Sequence, residues 1–169
     1  PDVVSTTQEP TFASTDWSVI SINPSGFGEM SRDSGAAFTD LGAGWVPVTN
    51  YGSVDHQLNT VCDAAAGTMS FDYVGVWEVT FFFSMTHNTA NSGRIIQARA
   101  YNATDGGVGG SGTPIGIGRD QGATTFSVTF WLEILAADVN DLYRMELGNG
   151  DAVSLVTMEF LRFASKKIA

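Results

Sequence analysis

The stretch that decides the fold is Trp77-Glu-Val-Thr-Phe-Phe-Phe-Ser-Met85, WEVTFFFSM. Side chains along a strand point to alternate faces with a period of two. Read that way, Trp77, Val79, Phe81 and Phe83 share one face, while Val76, Glu78, Thr80 and Phe82 share the other. Its β-branched and aromatic content suits a pleated sheet. It is also far short of the ~20 apolar residues that span a bilayer. The first face supplies a core. The second leaves Phe82 and Val76 on the opposite side, where a neighbouring subunit, an arm or a loop has to cover them.

The same reading extends outward. Thr68–Val74 (TMSFDYV) puts Met69, Phe71 and Tyr73 on one face, and Gly75 separates it from the aromatic strand. HNTANSG, with His87 in it, reads as a turn, followed by the strand RIIQARAYN. Residues 102–122 hold eight glycines and read as loop around a short IGI strand. In TTFSVTFWLEIL, Phe126, Val128, Phe130, Leu132 and Ile134 alternate with Thr125, Ser127, Thr129, Trp131 and Glu133. That pattern predicts a strand with one buried face and places Trp131 on the polar side. DLYRMEL puts Tyr143, Met145 and Leu147 on one face, and AVSLVTMEFLRF is apolar on both.

Toward the N-terminus the signal weakens. Residues 1–16 are polar and read as an arm or leader, and Trp17–Ile22 (WSVISI) alternates like a strand. Residues 23–35 read as loop from their Asn, Pro, Ser and Gly content. AAFTDL and WVPVTNY are short strand candidates, with Pro47 confining the second to an edge or bulge. Residues 52–67 stay open between helical turns, a loop and an irregular strand, since Leu58, Val61 and Cys62 have helical spacing. Many strands with turns every roughly 8–15 residues predict a single all-β domain over 17–169, a sandwich or barrel.

Composition narrows the function. Eighteen acidic against eight basic residues give a net charge of −10. That surface repels phosphate backbones and anionic membranes, so neither nucleic acid nor membrane is an expected partner. Cys62 is the single cysteine, which excludes an intrachain disulfide and a thiolate metal cluster. No secretory signal pattern opens the chain.

The candidate sites are few. Asp55, His56 and Cys62 contain the residue types of a nucleophilic triad, yet nothing in their spacing selects for one. His87 reads as a solvated loop residue. Asp138, Asp141, Glu146 and Asp151 are calcium-type ligands, but DVNDLYRMELGN has Tyr143 where an EF-hand loop needs glycine and Asn149 where it needs glutamate. Solvated turn acids are the better reading. Asp138 suits a tight turn in which its carboxylate accepts backbone amides. GTPIGIGRDQG lacks the Gly-Lys-Ser/Thr ending of a phosphate loop. No cofactor, metal or catalytic residue is expected, and the chain reads as no enzyme. Asn102-Ala-Thr104 is a glycosylation sequon. Trp17, Trp45 or Trp131 could stack on a sugar if exposed, though for Trp131 a subunit contact is the favoured reading.

Three clauses carry a resemblance. Gly75, Trp77, Val79 and Phe81 form a glycine-led aromatic strand. Leu135-Ala-Ala-Asp138 precedes Asp141–Leu147, and Glu159–Phe163 (EFLRF) closes an aromatic-rich last strand. Over residues 68–163 the chain resembles the jelly-roll domains of the tumour-necrosis-factor and C1q superfamily, with similar jelly rolls in phage capsid-decoration and fibre proteins. It departs from the pattern at Ala137, where glycine is usual, and at Arg162, in a strand often wholly apolar. The resemblance implies a jelly-roll β-sandwich of two antiparallel sheets and ten strands, assembled as a homotrimer around an apolar axis. Val76, Phe82, Trp131 and Phe160 are then the expected subunit interface, with Gly75 and Asp138 as structural turn residues. The implied role is a virion structural protein: a trimeric capsid decoration or cement protein on a phage head, touching the major capsid protein or another virion component. The alternative is a receptor- or glycan-binding head of a viral fibre.

Overall fold

In the computed structural model, which describes residues 25–33, 36–38, 44–87, 94–108, 113–117, 124–149 and 156–169, WEVTFFFSM lies inside one 13-residue strand. The described residues contain no helix. They form β1 (Phe27–Arg32), β2 (Ala36–Phe38), β3 (Trp45–Pro47), β4 (Ser53–Leu58), β5 (Thr60–Asp63), β6 (Thr68–Phe71), β7 (Gly75–His87), β8 (Arg94–Asn102), β9 (Gly107–Val108), β10 (Thr113–Ile117), β11 (Thr124–Ile134), β12 (Tyr143–Asn149) and β13 (Val156–Lys167). Sheet one runs β11-β7-β13-β1-β4, with β2 also on β13. Sheet two runs β10-β8-β12-β6-β5, with β3 on β12 and β9 on β8. Every pairing is antiparallel. The ten strands of the two main paths make a jelly-roll sandwich, and β2, β3 and β9 add short pairings to it.

The alternation in β7 sets the core. Trp77, Val79, Phe81, Phe83 and Met85 have no exposed surface. Phe71 packs on Trp77 with centroids 4.6 Å apart, and Phe81 stacks on Phe83 at the same separation. From the facing sheet come Met69, Ile96, Met145 and Leu147, also fully buried. Each large apolar side chain so buried stabilises the fold by ~1.5–3 kcal/mol. Gly75 begins β7 at φ +135°, and a Cβ there would strike the Ala169 carbonyl oxygen. That closeness lets the Val76 N–H donate to Ala169 O at 2.7 Å, which ties the segment after β13 to the start of β7.

Several elements depart from the sequence expectation. The segment 23–35 contains a real strand, β1, and Gly26 before it and Gly28 within it serve close approach instead of turning. Trp77 lies against Gly26, and a Cβ at Gly28 would meet Thr60, Cys62 and Met69. The segment 52–67 is β4 and β5, not helical turns. Asn59, at φ 55°, turns the chain from one sheet to the other. Asp63 then caps the next turn by accepting the Ala65 and Ala66 N–H groups. His87 is the last residue of β7, paired with Val156, and not a turn residue. β13 looks apolar on both faces because its register shifts between Met158 and Phe160. Met158, Leu161 and Phe163 are thereby buried while Phe160 is left on the other side. The expected arm at 1–16, the strand at Trp17–Ile22 and Asp151 lie outside the described residues.

Candidate subunit interface

The outer face of sheet one carries the four residues singled out for assembly. Phe82 on β7 and Phe160 on β13 meet edge to face, 5.4 Å between centroids and 81° between planes. With Thr80, Arg162 and Ala164 they line a groove of about 220 Å³ open to solvent. Val76 is half-buried. Trp131, 72% exposed, is the most exposed large apolar side chain among the described residues. Trp131 pairs with Glu78, and Phe82 pairs with Ser127. At ~3.3 Å per residue, those four positions along β11 put Trp131 ~13 Å from the Phe82 row. The structure therefore joins Phe82 to Phe160 and sets Val76 and Trp131 toward the other end of the same face.

Polar pairs surround the aromatic pair. Thr80 Oγ1 and Thr129 Oγ1 lie 3.1 Å apart. Arg162 donates to Glu29 Oε2 at 2.7 Å, and that bond raises the Arg162 pKa. Lys166 Nζ sits 3.1 Å from Glu78 Oε1. Asp55 on β4 is held below the usual carboxylate range by hydrogen bonds from Ser31 and Ser53. Sequence reasoning missed Phe27 and Leu58, exposed at 42% and 44% on β1 and β4. Their strands were hidden in segments that read as loop or ambiguous.

The outer face of sheet two is built differently. Glu146, only 2% exposed, receives Arg99 on Oε2 at 2.9 and 2.6 Å and Arg144 on Oε1 at 2.9 and 2.7 Å. The Arg99 guanidinium lies over the rings of Trp45 and Tyr101, 4.2 and 4.8 Å from their centroids, and Arg144 lies 5.2 Å from Tyr101. Trp45 also covers Gly148, where a Cβ would touch its ring. One carboxylate, two cations and two aromatic rings satisfy one another. Glu146 is committed to this clasp, and Trp45, partly buried, is stacked within it on Arg99 and Gly148.

The remaining candidates separate. Burial pushes the Cys62 thiol up to about 11, and its hydrogen bonds go to the Thr60 side chain and the Glu29 backbone. An activated nucleophile needs the opposite shift. His56 is exposed on β4, in register with Glu29. Among the acids, Asp138 and Asp141 meet Asp105, with one oxygen of each within 4.8 Å of the others. Asp138 accepts the Leu135 N–H at 3.2 Å, closing its turn. Asp141 is buried and accepts Asn102 Nδ2 at 2.7 Å. Tyr143 beside them is pushed up to about 12, by burial first and then by Asp138 and Asp141. The sequon asparagine is 7% exposed, and its Oδ1 accepts the Thr104 and Asp105 N–H groups.

No protein-family model matches the sequence. No curated protein matches it either. Solved structures do match. The globular domain of zebrafish complement 1qA superposes with a TM-score of 0.56 at 13% identity, over 85% of this chain and 98% of that one. The Eiger TNF of S. frugiperda superposes with a TM-score of 0.55 at 9% identity, over 86% and 92%. The PRD1 vertex protein P5 superposes more loosely, with a TM-score of 0.49 at 14% identity over 86% and 73%. At these identities the likeness is one of fold. The chain thus has the jelly-roll fold of the tumour-necrosis-factor and C1q domains.

Proposed function

We propose that this chain is a non-enzymatic structural protein that works as a homotrimer on a virion surface, as a capsid decoration or cement protein of a phage head. The observation that carries the trimer is the Phe82–Phe160 pair, set in an open groove on the outer face of sheet one. Two aromatic rings in an apolar groove with a polar surround have the anatomy of an interface centre. Burying the equivalent face of three copies around one axis dries all six rings at once. The virion role rests on the resemblance to phage decoration jelly rolls and on the acidic chain with its single cysteine. A symmetric trimer can seat on a local three-fold and tie neighbouring capsomers together, with the major capsid protein or another virion component as its partner.

Sedimentation at micromolar concentration tests the assembly. The mass of three chains is expected, and a stable monomer overturns the reading. Imaging on the native particle tests the location: an even spread over an icosahedral shell supports decoration. The second reading, a receptor- or glycan-binding head of a viral fibre, is favoured by the exposed Trp131 indole. It predicts the chain at a tail or spike tip instead.

A further inference from the structure

Register places a second pattern on the outer face of sheet one. Trp131 on β11 pairs with Glu78 on β7, Glu78 with Lys166 on β13, Lys166 with Phe27 on β1, and Phe27 with Leu58 on β4. Among the described residues, one row thus crosses sheet one from β11 to β4, the strands at the two ends of its order. The middle of the row is satisfied by the Lys166–Glu78 ion pair. Its ends are apolar and exposed: Trp131 at 72% on one side, Phe27 at 42% and Leu58 at 44% on the other. The neighbouring row, Thr129-Thr80-Ala164-Glu29-His56, has no apolar side chain larger than alanine and ends in polar ones.

A ring closed by rotation alone keeps every atom at its own height along the axis, and its contacts are heterologous: one edge of each copy meets the other edge of the next. With strands running along the axis, one register row lies at one height. The β11 end of the row in one copy then arrives level with the β1/β4 end in the next. We infer that Trp131 of one copy packs on Phe27 and Leu58 of its neighbour, the ring-closing contact of the trimer. The occupant is a second copy because apolar ends of one register row, on opposite edges, are complementary to each other. A flat indole laid on a phenyl ring and an isobutyl group has the chemistry of an interface anchor. This inference rests on the trimer reading, and it adds which edges meet and through which residues.

The test is site-directed cross-linking in a Cys62→Ser background, which removes the chain's single thiol. Trp131→Cys and Leu58→Cys are introduced together and treated with a short bis-maleimide. Covalently linked trimers on a denaturing gel are expected, with no linkage for either single cysteine. As a second measurement, Trp131→Lys should weaken assembly at least ~10-fold, and Leu58→Glu added to it should restore most of the loss. Both positions are exposed, so circular dichroism should show both variants folded. A trimer by sedimentation that neither cross-links nor responds to the charge pair overturns this contact and leaves the trimer standing. A monomeric unmodified chain overturns both.

Discussion

The two outer faces of the sandwich solve the same problem in opposite ways. Sheet two buries a charge, Glu146, and surrounds it with Arg99 and Arg144, each against an aromatic ring. Each of these groups has its partner within the chain. Sheet one carries Phe82 and Phe160 in an open groove and Trp131 at its edge, with ion pairs beside them that do nothing to dry the rings. A face that satisfies itself is a finished surface. A face that leaves aromatic area wet has a stabilisation still to collect, and the proposed association with another copy would supply it.

Breaking the unfinished face should have the largest effect. Phe82→Lys puts a cation in the groove beside Arg162 and repeats the damage three times per trimer. Loss of a hot spot costs ~2 kcal/mol or more, so sedimentation should show association weakened at least ~30-fold. Far-ultraviolet circular dichroism should stay unchanged, because Phe82 lies outside the core. The finished face should respond the other way. Glu146→Gln leaves Arg99 and Arg144 facing each other without their counter-charge, and urea unfolding should lose ~2–3 kcal/mol, less than for a fully buried pair because both arginines are partly solvated. The oligomer should persist as long as the chain is folded. Dissociation by Glu146→Gln without unfolding would move the interface to sheet two.

The smallest effect belongs to neither face. Cys62 titrates at about 11 in the folded chain against an ordinary 9.0, and Tyr143 at about 12 against 10.0. Both groups are neutral when protonated, so a raised folded pKa means the unfolded chain releases the proton first. Their stability contribution is complete below pH 9 and declines as pH rises, through Cys62 between 9.0 and about 11 and then through Tyr143 between 10.0 and about 12. Urea midpoints followed across that range should fall, and Cys62→Ser should flatten the earlier part of the fall. A decline that began below pH 8 would point to other groups.

How much of this was legible varies with how each element is stabilised. β7, β11 and β12 alternate cleanly because one face is buried and the other is mostly polar, and period two reports that directly. β1 was illegible because Gly26 and Gly28, needed for close approach, look like turn punctuation. β4 and β5 were illegible because most of their residues are exposed, and Leu58, Val61 and Cys62 fall in helical spacing only by crossing the Asn59 turn. At the candidate site, Phe82 stood out locally, since three phenylalanines in a row cannot all face inward. Its contact with Phe160 depends on a bulge in β13 that no local pattern shows. The clasp on sheet two joins residues 47 positions apart, and the row from Trp131 to Leu58 crosses five strands; both follow from register alone.

The buried Asn102 has a practical consequence for making this protein. In a secretory pathway, oligosaccharides are transferred to sequons before a domain closes, and Asn102-Ala-Thr104 meets the minimal requirement. A glycan attached there would occupy the place where the amide meets the Asp141 carboxylate, between strands that must come together. The choice of expression host is therefore a choice about folding: a compartment without glycosyl transfer leaves the asparagine free to close the loop, and one with it competes against the fold at that residue.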